Sequence, residues 1–220
     1  MALSRLKYNS FNVTPTASKG IGFDSGADDL AATFSGGATT FIKKLTASTS
    51  ATLDFVDGTS DVVLDETYKE YMFTFNNIHP SALGQFQFQG NAAGGSGYNE
   101  TITSTSFGAY HDEADSGTSL GYFAANDLAQ GTGFQHLVAG GNIDLDNDSN
   151  LSGFLHLFNP SSTTFVKHFI ARTQFMGNGD YSQESYIAGY FNTTSAIDEI
   201  QFKFASGNID AGDICLYGIN

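Results

Sequence analysis

Residues 117–121 of this chain, Gly-Thr-Ser-Leu-Gly, have the G-x-S-x-G spacing of a hydrolase nucleophile. Such a serine works when it lies on a tight turn between a strand and a helix, with a histidine and an acid nearby. The next residues, Tyr122 and Phe123, favour a strand, and no helical pattern follows them. We therefore expect a strand here and no catalytic residue, with a depolymerase acting on surface glycan through Ser119 as an alternative.

Three aspartates alternate in the segment DLDND, as they do in calcium-binding loops. Calcium takes several oxygen ligands on a tight turn, so Asp144, Asp146 and Asp148 are the candidate metal ligands. The helical EF-hand loop also needs glycine at its sixth position and an acid at its twelfth, where this chain has Ser149 and Leu155. An irregular calcium site and a solvated acidic turn both remain open, and no cofactor is predicted.

Histidines and further carboxylates could also do chemistry. His156 and His168 fall on the outward faces of two strands that we expect to pair, where a three-fold axis could gather them around a metal or an anion. The alternative is that they are ordinary surface or interface histidines, like the others along the chain, His79, His111 and His136. No glycosidase dyad is recognisable among Glu113, Asp115, Asp180 and Glu184, because the sequence does not give their separations.

The elements that carry these residues centre on two apolar runs, residues 151–158 and 165–175. The connector between them, NPSSTT, is built from turn formers, so the runs predict an antiparallel strand pair. Leu155 and Leu157 fall on one face of the first run, and Phe154 falls on the other with His156. Apolar residues on both sides predict that one face lines a sandwich core and that the other meets a second subunit.

Alternating strands recur along most of the chain. Residues 68–78 predict a strand with Tyr71, Phe73 and Phe75 on its core face, and residues 85–89, QFQFQ, predict one with its phenylalanines inward. About eight to ten such strands and no convincing helix predict an all-β antiparallel β-sandwich, with jelly-roll topology. We assign the sandwich to residues 39–220 and an extended N-terminal docking arm, rich in Ser, Thr and Gly, to residues 1–38.

Composition and charge limit the classes of partner that this protein can have. The 220 residues include 20 Phe, 10 Tyr and no Trp, and the net charge is −14, which argues against free nucleic acid as a partner. Residues 1–44 hold five basic and three acidic residues, a balance of +2, and the remainder holds four and twenty, a balance of −16. Cys215 is the only cysteine, expected to be buried in the last strand, and no apolar run suggests membrane insertion.

From Asp65 onward the chain resembles a domain that recurs in structural proteins of tailed bacteriophages, especially marine and cyanobacterial ones. The motifs follow in the same order, each one largely a strand and its turn. They are residues 71–80 (YMFTFNNIHP), 111–115 (HDEAD), 119–122 (SLGY), 151–159 (LSGFLHLFN), 160–169 (PSSTTFVKHF), 188–196 (AGYFNTTSA), 206–212 (SGNIDAG) and 216–219 (LYGI).

The resemblance implies a non-enzymatic virion protein with a jelly-roll body. Its expected role is that of a tail fibre or tail-associated appendage, which docks to other virion proteins through residues 1–38 and contributes to host attachment. The expected partners are further copies of itself, as a homotrimer, and a host receptor or glycan. A capsid decoration or head-fibre protein is the alternative.

Overall fold

The computed structural model of the chain describes residues 19–23, 30–35 and 38–220. These residues form strands, turns and loops, and no helix that could cross a membrane occurs among them. The chain divides into two units, residues 1–40 and 41–220. In the first unit, β1 (Lys19–Phe23) and β2 (Leu30–Ser35) pair antiparallel, so this part of the predicted arm forms a two-stranded sheet. The rest of the predicted arm before residue 38 lies outside the described residues.

The remaining strands form the predicted β-sandwich. They are β3 (Thr39–Thr46), β4 (Leu53–Val56), β5 (Glu70–Pro80), β6 (Phe86–Ala92), β7 (Ile102–Asp112), β8 (Thr118–Tyr122), β9 (Ala129–Gly131), β10 (Gln135–His136), β11 (Leu151–Phe158), β12 (Lys167–Gly177), β13 (Tyr181–Phe191), β14 (Ile197–Phe204) and β15 (Ile209–Ile219). The described strands outnumber the predicted ones because residues 111–150 contribute three short strands, which turn-forming residues separate.

Two antiparallel sheets make up this sandwich. The small sheet has the order β10-β6-β14-β4, and the large sheet has the order β3-β15-β5-β11-β12-β13-β7-β8, with β9 also pairing with β7. The pairs β5/β15, β6/β14 and β7/β13 are nested and alternate between the sheets, which is the winding expected of a jelly roll. The β11–β12 pair departs from a simple eight-stranded version, because it lies between the first and the third nested pair in the large sheet.

Aromatic side chains from both sheets fill the space between them. The Phe202 ring of β14 lies 5.3 Å from the Phe73 ring and 5.4 Å from the Phe75 ring of β5, measured between centroids. Phe86 and Phe88 of β6 are also fully buried, and the inward positions of β5 and β6 were predicted from strand alternation. Each buried phenylalanine contributes roughly 1.5–3 kcal/mol through the hydrophobic effect, which makes this cluster a principal support of the fold.

The last strand begins earlier than its sequence suggests. Residues 206–212 predict a turn, yet β15 starts at Ile209, which pairs with Pro80. The register shifts twice within Ile209–Asp213, with one extra residue first on β15 and then on β5. Gly212 permits this bend, because its φ is +115° and a Cβ there would lie 2.6 Å from the Asn77 carbonyl oxygen.

Candidate functional site

The face of the large sheet that points away from the small sheet, called here the outer face, carries exposed and half-buried apolar side chains. Strand alternation places them there, since their neighbours in each strand face the core. Leu120 is 76 % exposed and Ile170 is 50 % exposed. The set comprises Met72, Phe107, Leu120, Tyr122, Phe154, Phe158, Ile170, Tyr186, Tyr190 and Tyr217.

A row of side chains crosses five strands of the outer face in register, and we call it the aromatic ladder. Residues opposite one another on adjacent antiparallel strands bring their side chains together, so the sheet pairing builds this row from distant parts of the sequence. Its members, in order across β11, β12, β13, β7 and β8, are Phe154, Arg172, Tyr186, Phe107 and Tyr122.

Stacking and charge hold the middle of the ladder together. The Phe107 and Tyr186 rings are parallel within 4°, with centroids 4.9 Å apart. The Arg172 guanidinium carbon lies 5.1 Å from the centroid of the Tyr186 ring, in cation–π geometry. Arg172 Nε also donates a hydrogen bond to Glu184, and this carboxylate raises the pKa of the guanidinium further. The arginine is thereby fixed and neutralised within the outer face.

A shallow depression beside the ladder, the Ala188 depression, occurs where β13 places a small residue between Tyr186 and Tyr190. The outer-face neighbours of Ala188 across the sheet are Ile170 on β12 and Thr105 on β7. On one side of Ala188 the hollow measures about 440 Å³ and extends to Tyr190, and on the other about 260 Å³, extending to Tyr186. Its walls are mostly apolar, so the depression suits an aliphatic or aromatic group.

Gly189, the next residue of β13, faces the core beneath the depression and allows β13 to lie close to the Thr103 backbone and the Phe169 ring. A Cβ at this position would lie 2.6 Å from the Thr103 carbonyl oxygen and 2.7 Å from Cζ of Phe169. Both distances are too short for real contacts, so only glycine fits between the strand and the Phe169 ring. The depression therefore depends on a glycine that faces inward and an alanine that faces outward.

A hydrogen-bonded histidine–glutamate pair lies at the other side of the outer face. His156 Nδ1 contacts the Glu70 carboxylate, and both side chains are about three-quarters buried. Phe154 packs edge-on against the His156 ring at 5.1 Å, and Phe158 stacks on it at 6.2 Å. On β5, β11, β12 and β13, the only outward carboxylates are Glu70 and Glu184, and each contacts a basic side chain.

The G-x-S-x-G segment lies on β8, as the strand prediction required. Ser119 is exposed and pairs with Tyr110 across the edge of the large sheet. No helix occurs in residues 38–220 to follow the motif. This serine is therefore on a regular edge strand and lacks the strand-to-helix turn of a nucleophile elbow.

The three candidate metal ligands lie in the loop before β11. Asp144 is buried, and its carboxylate accepts hydrogen bonds from the Leu145 backbone N–H at 2.8 Å and from the Asn178 side-chain amide at 3.2 Å. Asp146 and Asp148 are exposed. Across the described ranges, no three His, Cys, Asp or Glu side chains are grouped as metal ligands. The calcium site stays a prediction.

The histidines are distributed among separate environments. His156 and His168 both lie on the outer face of the paired strands β11 and β12, as expected, and the metal or anion role proposed for them stays a prediction. His79 Nδ1 lies 2.7 Å from the Ser149 carbonyl oxygen. His111 contacts Asp115 at 3.1 Å. His136 hydrogen-bonds Gln87, and burial lowers its pKa.

The other predicted residues fall into ordinary roles. Glu113 donates its backbone N–H to the Asp180 carbonyl oxygen at 2.8 Å, while the Glu184 carboxylate is engaged by Arg172. Cys215 is buried in β15 with a free thiol, as predicted. Phe107 and Tyr122 were not predicted as parts of the outer face. Alternation within β7 could have oriented Phe107, but only the strand order places it beside Tyr186.

Searches of protein families, of curated proteins and of solved structures find no match to this chain. The outer face, with its aromatic ladder and the Ala188 depression, is therefore the candidate functional site on physical grounds alone.

Proposed function

We propose that this protein is a structural component of a tailed-phage virion, most simply a tail fibre or tail-associated appendage. In this role residues 1–38 dock to other virion proteins, and the sandwich projects as a homotrimer that contributes to host attachment. The support is of two kinds. The order of sequence motifs in residues 65–219 is similar to that of phage structural domains, and the outer face offers chemistry suited to burial in an assembly.

The aromatic ladder is the observation that carries the proposal. An appendage works by removing surface from water, and each 100 Å² of apolar surface buried contributes about 2.5 kcal/mol before association costs. Phe107 and Tyr122 are 43 % and 56 % exposed. Such exposure of neighbouring aromatic side chains is unusual for a protein that turns over a small substrate in a cleft. The net charge of −14 would keep assembled particles from adhering to one another.

Immunogold labelling of intact virions tests this function. An antibody raised against residues 60–220 is expected to label the tail or its fibres. Label spread over the head would replace the tail assignment with capsid decoration, the alternative drawn from the same resemblance. Particles without label, in a preparation whose denatured proteins react with the antibody, would place the epitope inside the particle and contradict an external appendage. An absence of reactive protein from purified virions would contradict the virion role altogether.

A further inference from the structure

The outer face differs in charge from the rest of the molecule. The chain has 23 acidic and 9 basic residues, so two copies repel each other over most of their surfaces. The outer face is the exception, because its few carboxylates are already engaged: Asp213 contacts Lys44, Glu184 contacts Arg172, and Glu70 is hydrogen-bonded to His156. The outer face is therefore the surface on which another equally acidic copy can approach with the least repulsion.

Its size matches a stable interface. The seven strands from β15 to β8 carry about four rows of outward side chains. With strands about 4.8 Å apart and same-face side chains about 6.8 Å apart, this area spans roughly 30 by 25 Å, or roughly 750 Å² per copy. A standard protein interface buries about 800 Å² on each partner. Aromatic residues and arginine are also the types that dominate binding energy in interfaces.

The outer face also combines projections with a hollow. Ile170 and Leu120 protrude, while the Ala188 depression recedes between two tyrosines. Both protruding side chains are aliphatic, and the walls of the depression are mostly apolar. One copy thus presents both halves of an apolar contact, which favours a partner with the same surface.

We propose that a second copy of this chain covers the outer face and seats an aliphatic side chain in the Ala188 depression. This inference rests on the self-association included in the proposed function and names the surface that mediates it. In a homotrimer the outer face of each copy meets the next copy around the three-fold axis, and in a dimer two outer faces meet across a two-fold axis. In both cases Ala188 and Ile170 are determinants of assembly, with no part in the core.

Light scattering coupled to size-exclusion chromatography tests the inference on the full chain at micromolar concentration. The unchanged protein is expected to be oligomeric. The Ala188→Arg variant fills the depression with an unpaired charge and should weaken association by about a hundredfold or more, giving monomers. The matched control is Ala205→Arg at an exposed position after β14, which should associate like the unchanged protein.

A second variant separates loss of assembly from loss of folding. Ile170→Arg alters a side chain that is half exposed, so it should keep the circular dichroism spectrum and the unfolding cooperativity of the unchanged protein while abolishing association. An unchanged protein that is monomeric up to about 100 µM, well above the Kd of a stable interface, would overturn the inference and leave the arm or a glycan as the occupant. Oligomers that survive both substitutions would overturn it as well.

The virion proposal can fail independently of this inference. If virions lack the protein while Ala188→Arg still dissolves the oligomer, the interface stands and the virion role falls. If virions are labelled while both outer-face variants assemble normally, the virion role stands and another surface joins the copies.

Discussion

Polar side chains on the outward side of the small sheet are buried, whereas apolar side chains on the outward side of the large sheet are exposed. On the small sheet, Gln87, Gln89 and Asn91 of β6 point away from the core and are buried. The backbone at residues 100, 132 and 133 contacts Gln89, and the His136 side chain of the neighbouring strand β10 contacts Gln87. On the large sheet, about half of the outward residues are aromatic or aliphatic, and several of these are exposed. Among the described residues, the chain thus covers the polar outward side of β6 and leaves large apolar side chains of the large sheet exposed.

The difference shows what each covering must supply. A buried amide needs fixed hydrogen-bond partners, and Gln89 finds them in the Glu100 and Gly133 carbonyl oxygens, at 3.0 and 2.8 Å. A loop of the same chain can hold such partners permanently. An aromatic face needs only a complementary apolar surface, which a separate molecule can provide reversibly. The buried amides of the small sheet therefore contribute to folding, and the exposed apolar side chains of the large sheet are available for association.

Gln89→Leu should give the largest effect, since it attacks the covered polar face. The substitution leaves the buried Gly90 N–H and the partly buried carbonyl oxygens of Glu100 and Gly133 without their side-chain partner. Each unsatisfied buried group costs about 1–3 kcal/mol, so we expect the free energy of unfolding to fall by about 2–4 kcal/mol. Urea unfolding followed by circular dichroism measures this change.

Gln201→Leu is the matched control for this substitution. Gln201 lies directly opposite Gln89 on the neighbouring strand β14, but its amide donates to Asp54 in a more exposed position. Its loss should cost less than about 1 kcal/mol. Equal losses for the two glutamines would show that covering by the chain is energetically irrelevant and would remove the contrast between the faces.

Lys167→Met should stabilise the protein by about 1–2 kcal/mol, because a buried charge is replaced by an apolar group of similar size. Lys167 is fully buried, and its ammonium donates one hydrogen bond, to the Thr193 carbonyl oxygen at 3.1 Å. Burial lowers the pKa of Lys167, and the nearby Glu100 carboxylate opposes part of this shift. The substitution tests whether a buried polar side chain of this protein must be either uncharged or fully hydrogen-bonded.

The pH dependence distinguishes this explanation from simple repacking. Because the folded protein binds the Lys167 proton less tightly than the unfolded chain does, stability rises with pH between the lowered pKa and the ordinary lysine value of 10.5. The rise is at most about 1.4 kcal/mol per pH unit for one proton. Unfolding free energies of the two proteins should converge toward pH 10.5, and a constant difference would contradict the charge-burial explanation.

A double-mutant cycle on Phe107 and Tyr186 measures the aromatic ladder without association. Performed on the Ala188→Arg background, where the protein is expected to be monomeric, the substitutions Phe107→Ala and Tyr186→Ala should show a coupling of about 0.5–1.5 kcal/mol. The parallel stacking at 4.9 Å is the reason for this coupling. Thr105→Ala, a neighbour on the same strand face, should show no coupling to Tyr186→Ala, and zero coupling for Phe107 would mean that the ladder is not preorganised.

Strand alternation predicted much of the sandwich from the sequence, because it depends only on local periodicity. It gave the inward faces of β5, β6 and β11, including Phe73, Phe88 and Leu155. Alternation did not predict which outward residues are buried, since Gln89 is covered by segments roughly ten and forty residues away.

The candidate site was harder to predict than the fold. The ladder joins side chains from residue 107 to residue 186, and its register is a property of strand order, which periodicity does not encode. The sequence motifs drew attention elsewhere, to Ser119 and to three aspartates, because a short spacing rule can be recognised without knowing its surroundings. A face assembled across five strands has no such linear signature.

Arg172→Met should give the smallest change in folding stability, but it should weaken association measurably. The arginine is half exposed, so losing its ion pair with Glu184 should cost less than about 1 kcal/mol of folding stability. It leaves Glu184 uncompensated on the outer face, however, so two copies should associate up to about tenfold more weakly at low salt and recover in 0.5 M salt, where charges are screened. The double variant Arg172→Met, Glu184→Gln restores neutrality and should associate without this salt dependence. If both variants behave alike, the charge balance of the outer face has no part in selecting a second copy, and apolar contact alone would have to explain the assembly.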